Sequence, residues 1–257
     1  QYKAVVFDIG GVLLSSPVAV IRSYSSELGL PADYLNVFIT NLGATSAWAR
    51  FERAELSLWE FYDLWSQELS DAERGKVAYS QWLAKRGQPA EELKIRVYKV
   101  DGRELFGRMM REAAKFDPWI LAAVQKLRAL GKYKVLALTN NYTAAYDSLL
   151  AESASSPGAA VELRFLGWTS GPAPESMRAL FDDFVDSSFS GCRKPEEGIY
   201  DLLLERNGLK GEECVYLDDI GENLIAGKGK GMRTIRVVVG KTREAVEELE
   251  RVLGVRL

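Results

Sequence analysis

The strongest constraint on this chain is a recurring pattern. Short runs of branched apolar residues break off into polar or glycine-bearing turns, and stretches of helical length separate them. Ala4 to Phe7, Lys134 to Leu138 after its opening lysine, and Cys214 to Leu217 are apolar at successive positions, as strands buried on both faces must be. Thr234 to Val239, ending at Gly240, reads as a further strand, and so does Phe184 to Val185 running into Asp186. Between them lie amphipathic segments with helix punctuation, Pro118 to Leu130 closed by Gly131 and Pro195 to Arg206 closed by Asn207-Gly208. This alternation predicts an α/β fold, a Rossmann-like parallel sheet covered on both sides. In such sheets ligands collect at the carboxyl ends of the strands.

Polar residues stand at those ends. Asp8 follows the first run, Thr139-Asn140-Asn141 the second, and Asp218-Asp219 the run from Cys214. Three loops distant in sequence should therefore bring carboxylates and a hydroxyl to one sheet edge. From about residue 15 to residue 115 the alternation gives way to consecutive helical patterns. Four of the six tryptophans lie here, Trp48, Trp59, Trp65 and Trp82, and Leu58, Phe61, Tyr62 and Trp65 share one helical stripe. Such a stripe is expected to be core, and a helical block inserted straight after the first strand is suited to cover the strand ends. The division expected is a sheet core over residues 1–14 and 116–257 and a helical cap over 15–115. Glu152 to Glu175, rich in Ser, Ala, Gly and Pro, reads as a long surface excursion.

Composition then excludes several chemistries. The 257 residues contain no histidine, which removes Ser-His-Asp and Cys-His nucleophiles, histidine proton shuttles and most zinc sites. With 33 basic against 36 acidic residues the net charge is -3, so no general field draws the chain to nucleic acid or to an acidic membrane. Neither nucleic acid nor membrane is an expected partner. Cys192 and Cys214 have no CxxC spacing and read as reduced thiols, which fits a cytoplasmic setting. No run approaches the ~18–20 apolar residues of a membrane span, and no basic-then-apolar leader is visible.

Four islands remain: FDIGGV at Phe7 to Val12, LTNN at Leu138 to Asn141, GCRKPEEGIY at Gly191 to Tyr200, and LDDIGENL at Leu217 to Leu224. Singly each is ordinary, since an Asp after a strand is a common turn former and a Lys before Pro a common helix start. Together, in this order, they resemble the haloacid dehalogenase (HAD) superfamily along the whole chain. The runs GGVL, ALTNN, FDDFVDSSFSGCRKPEEGIY and LDDIGENL are most similar to one branch. It holds the N-terminal phosphatase domain of soluble epoxide hydrolases and the HAD domain fused to certain acyl-CoA dehydrogenases.

The resemblance implies the HAD fold, with the helical block as its cap, and a Mg²⁺-dependent hydrolase acting on a small-molecule phosphate or diphosphate. Asp8 would be the nucleophile, passing through an aspartyl-phosphate. Mg²⁺ would be held by Asp8, the carbonyl of Gly10 and the Asp218-Asp219 pair, Asp219 above all. Thr139 and the amide of Asn140 would bind phosphoryl oxygens, and Lys194 would neutralise charge on Asp8 and phosphate. Gly10 and Gly11 would let the loop turn tightly and bring its amides to the anion.

The sequence departs from active phosphatases at one position. They carry a second Asp two residues past the nucleophile, the general acid for the leaving group, and this chain has Gly10 there. General acid catalysis is typically worth ~10²–10⁴ in rate, so alkyl phosphates should be poor substrates unless another group substitutes, with Glu222 or a cap residue as candidates. Two other readings stand beside the phosphatase. Asp218 to Glu222 also spells DDxxE, which would suit a terpenoid diphosphate phosphatase or a HAD-like terpene synthase. A catalytically weak ligand-binding or partner-binding protein is the other. A haloacid dehalogenase proper, which works without metal, fits less well with the retained acid pair.

Overall fold

A computed structural model of the chain describes residues 1–88, 95–142, 157–168 and 173–257. Strands β1 (Ala4–Phe7), β2 (Lys134–Thr139), β3 (Asp183–Asp186), β4 (Cys214–Asp218) and β5 (Arg233–Arg236) form one sheet in the order β3-β2-β1-β4-β5. Every pairing is parallel, with Val6 opposite Leu136 on one side and Tyr216 on the other. The fold is thus the α/β, Rossmann-like arrangement that the alternation predicts. Alternate side chains serve opposite faces. Val5, Phe7, Val135 and Leu217 pack with Ile120 and Leu127 of one helix and Leu249 of another, while Val6, Leu136, Leu138 and Tyr216 pack with Ile199 and Leu203. Because β1 lies between β2 and β4, the residues following these three strands emerge side by side.

The helix over Pro118–Leu130 starts on Asp117, whose carboxylate accepts from the amides of Trp119 and Ile120, and stops at left-handed Gly131. The second anticipated helix begins at Glu197 rather than Pro195 and runs to Asn207, with Gly208 left-handed at its end. The expected strand to Val239 stops at Arg236. Its neighbour β4 ends at Asp218 opposite Arg236, so only one further bond, Val237 N to Asp218 O at 2.9 Å, extends the ladder. Both thiols are free, Cys214 buried and Cys192 half-buried. No helix among the described residues is long and apolar enough to cross a membrane.

Between β1 and β2 the described residues form helices α1 (Val18–Glu27), α2 (Tyr34–Asn41), α3 (Ala47–Glu52), α4 (Leu58–Leu69), α5 (Ala72–Ala84) and α6 (Gly102–Glu112), followed by α7 (Pro118–Leu130). Leu58, Phe61, Tyr62 and Trp65 are all buried, as the stripe on α4 implies, and a capping box of Ser57 and Glu60 starts that helix. The rings pack closely, Phe51 stacking on Phe61 at 4.3 Å and Phe61 on Trp65 at 5.1 Å between centroids. The chain enters and leaves this block through one short ladder. Ser15 N donates to Lys115 O and Asp117 N to Leu13 O, each at 2.8 Å.

The anticipated excursion from Glu152 to Glu175 is corrected in part. Residues 152–156 and 169–172 lie outside the described residues, but α8 (Pro157–Leu166) is a helix. What makes it so is tertiary. Leu166 is buried in the aromatic core of the block, and Glu162, also buried, accepts from Tyr62 Oη at 2.7 Å and from Arg103 Nε and Nη2 at 3.0 and 2.7 Å.

One glycine near the sheet is fixed by close approach. A Cβ on Gly211, just before β4, would fall 1.7 Å from the carbonyl oxygen of Lys230. Overpacking of buried sites costs typically about 1–3 kcal/mol, so Gly211→Ala is expected to lower the urea unfolding midpoint with an unchanged slope.

Candidate active site

The acids, the lysine and the threonine meet at the carboxyl edge of the sheet. The Lys194 ammonium is fully buried between two carboxylates, 2.8 Å from Asp8 Oδ1 and 2.7 Å from Asp218 Oδ2. Its main chain is held by the Asn140 carboxamide, whose Oδ1 accepts from Lys194 N at 2.7 Å and whose Nδ2 donates to Lys194 O at 3.0 Å. The side chain of Asn140 therefore sets the lysine's place, a task the sequence reading did not give it. Thr139 is buried at the end of β2 and its hydroxyl donates to Asn140 O at 3.2 Å.

The two neighbouring acids after β4 differ. Asp218 is saturated: Lys194, Tyr216 Oη and Asn223 Nδ2 all donate to it, as does Ile220 N at 2.8 Å. Asp219 presents a buried Oδ1 with no partner. Asp8, Asp218 and Asp219 can each offer an oxygen within 4.8 Å of the others. Glu222, the last acid of DDIGE, is exposed and stands outside this cluster. Gly11 makes the approach possible: at φ +84° its backbone is left-handed, and a Cβ there would lie 2.3 Å from Asp219 Oδ2. A Cβ on Gly10, by contrast, meets nothing within 4 Å.

The electrostatics follow from three carboxylates sharing one ammonium. Burial holds the Asp8 carboxyl well above its ordinary range; Lys194 pulls it down, while Asp218 and Asp219 push it up. Asp219 is raised to about 6, by burial first and by Asp218 second. Burial opposes the charge on Lys194, but Asp218 and Asp8 more than offset it and keep the ammonium protonated. This donor set fits a hard divalent cation, because it is oxygen-only, carries excess negative charge and leaves one buried oxygen unpartnered.

Over Gly10, Thr139 and Asn140 opens a cavity of about 190 Å³. Most of its wall is apolar, including Leu14, Met110, Phe116, Trp168 and Met177. Two groups near the site escaped the sequence reading. Glu52, at the end of α3, is buried and accepts from Arg193 Nε at 2.6 Å, beside Lys194. Tyr142 lines the cavity. Adjacency to Lys194 and to LTNN was the only local signal for either, since their placement depends on the packing of the helical block.

A sheet of this order with these acids at its edge defines a HAD-type hydrolase. The family model for haloacid dehalogenase-like hydrolases matches residues 2–231, and the chain belongs to that family. Among curated relatives, Acyl-CoA dehydrogenase family member 10 of Mus musculus is 26% identical over 99% of this chain and 19% of its own length. Bifunctional epoxide hydrolase 2 of Mus musculus is 29% identical over 98% of this chain and 39% of its own length. The chain thus spans well under half of these relatives, which lie in the branch that the motifs resemble. A Glyceraldehyde 3-phosphate phosphatase of Methanocaldococcus jannaschii is 35% identical over 28% of this chain and 32% of its own length. Two solved structures share the fold. A predicted HAD-like hydrolase from Porphyromonas gingivalis has TM-score 0.55 at 18% identity over 98% of both chains. A HAD-family enzyme of Bacteroides thetaiotaomicron, in complex with magnesium and inorganic phosphate, has TM-score 0.52 at 15% identity over 94% of this chain and 96% of its own.

The raised Asp219 carboxyl has a pH signature. Between its ordinary 3.8 and about 6 the folded state holds a proton that the unfolded chain releases, so this group's contribution to stability falls as pH rises through that window. In EDTA, Asp219→Asn is expected to match the parent's thermal midpoint near pH 4 and exceed it at pH 7.

Proposed function

We propose that the protein is a Mg²⁺-dependent phosphohydrolase acting on a small-molecule phosphate, with Asp8 as nucleophile. One observation carries this reading: the Lys194 ammonium is buried between Asp8 and Asp218, beside the unpartnered oxygen of Asp219. The identity to a phosphatase over part of the chain supports it, as does the likeness in fold to an enzyme crystallised with magnesium and phosphate. The free thiols suit a reducing, cytoplasmic setting. We assign residues 1–14 and 116–257 to the HAD core and 15–115 to a cap that covers the strand ends.

In this reading Asp8, Asp219, Asp218 and the Gly10 carbonyl would hold Mg²⁺, which when bound screens the nucleophile from the phosphate dianion. An Asp8 oxygen attacks phosphorus, the bond to the leaving oxygen breaks, and an aspartyl-phosphate results. Thr139 Oγ1 and the Asn140 amide donate to phosphoryl oxygens, joined by the Gly10 amide but not by that of Gly11, whose N already donates to Leu14 O at 2.9 Å, and Lys194 balances charge on both reactants. The apolar cavity receives the leaving group and excludes water. The diphosphate reading of DDIGE lacks support, because Glu222, the last acid of that motif, is exposed and stands apart from the acid cluster.

The test is hydrolysis of acetyl phosphate and p-nitrophenyl phosphate with Mg²⁺ or EDTA. Turnover of both is expected with Mg²⁺ and loss to background in EDTA or in Asp8→Asn; turnover that survives EDTA would overturn the metal assignment. Because the space over Gly10 is open, a carboxylate fits there, and Gly10→Asp is expected to retain Mg²⁺-dependent turnover of both substrates.

A further inference from the structure

We propose that Tyr142 supplies the leaving-group proton that Gly10 cannot, serving as general acid in the phosphohydrolase reading above, on which this inference rests. The cavity over Gly10 is where a leaving group must sit, since Thr139 and Asn140 form its floor and the rest of its wall is largely apolar. Among the described residues lining it, none is Asp, Glu, Lys, Arg or Cys. Tyr142 alone carries an ionisable group. It comes three positions after Thr139, just beyond the end of the same strand, and lines the same cavity as Gly10, Thr139 and Asn140.

The ring is held in one orientation. It stacks on Phe51 at 4.9 Å between centroids and 14° between planes, and stands edge-on to Phe106 at 5.4 Å and Trp48 at 5.6 Å. Its amide donates to Asn141 Oδ1 at 2.9 Å, fixing the backbone as well. No hydrogen bond of its hydroxyl falls among the described residues, which leaves that donor for a bound molecule. Burial, then the charge of Glu52, holds the phenol above its ordinary range; Arg193 opposes this and Asp8 adds to it. The group is therefore protonated at neutral pH, the state an acid needs before the first step. An alkoxide is a far stronger base than a phenolate, so the transfer runs downhill.

The step balances without any further reactant. Asp8 forms a bond to phosphorus as the phosphorus–oxygen bond to the leaving group breaks. The freed electron pair on that oxygen takes the proton from Tyr142 Oη, giving a neutral alcohol and a phenolate. The phenolate then removes a proton from water as its oxygen attacks the phosphorus of the aspartyl-phosphate, which releases Asp8 and phosphate and restores the phenol.

Leaving-group dependence separates this role from packing. Hexyl phosphate needs a proton on its departing oxygen and acetyl phosphate does not, so the readout is the ratio of their kcat/KM values with Mg²⁺. Tyr142→Phe keeps the ring and its stacking and is expected to lower the hexyl-to-acetyl ratio about 10²-fold. Adding Gly10→Asp in the same chain is expected to restore it. A ratio unchanged in Tyr142→Phe, whether both substrates fall together or neither does, overturns the proposal. So does a parent enzyme that turns over acetyl phosphate but no hexyl phosphate, and in that case the phosphohydrolase reading stands. If neither substrate is hydrolysed with Mg²⁺, the phosphohydrolase reading falls and this inference falls with it.

Discussion

One buried ammonium holds the site together. Sequestering Lys194 among carboxylates costs several kcal/mol per ion in desolvation, and only close pairing and full hydrogen bonding recover it. The pairing is provided by contacts of 2.8 and 2.7 Å to Asp8 and Asp218, and the bonding by Tyr216, Asn223 and Ile220 around Asp218. Even so, three carboxylates against one ammonium leave the pocket short of positive charge. Burial first, and the neighbouring carboxylates after it, make Asp8 and Asp219 resist ionisation. A doubly charged cation is the natural complement of that imbalance.

The lysine is positioned from outside its own loop. Asn140 grips its main chain, and the helical block reaches the same loop twice, through Glu52 to Arg193 at 2.6 Å and through Arg53 Nη1 to Glu196 Oε1 at 3.1 Å. Ser187 ties the block further by donating to the Glu52 carbonyl. The helical block therefore also steadies the residue that balances the charge at the strand ends.

Much of this was legible in the sequence, for a definite reason. β1 and β4, and β2 after Lys134, are buried on both faces and apolar up to their ends, so the first polar residue after such a run marks both the strand end and the site. Asp8, Thr139 and Asp218 are found this way. The same rule misled at Val237, Val238 and Val239, whose branched side chains look like strand but whose partner strand has already turned away at Asp218. Pro157–Leu166 was obscured by small residues that give no local periodicity; Leu166 and Glu162 acquire meaning only against the aromatic core and Arg103. Glu52 and Tyr142 were missed for the same reason, because each is defined by side chains distant in sequence, Arg193 for Glu52 and Phe51, Trp48 and Phe106 for Tyr142.

The ladder that admits the helical block lies within a few residues of Asp8. Gly10 bridges to Leu14 and Leu14 to Phe116, so the two ends of an insertion of about a hundred residues are fastened to each other before either reaches the sheet. Topologically the block hangs from one clasp. Its length does not enter the spacing of any strand, and what it must keep is the set of contacts it makes to Arg193, Glu196 and Ser187.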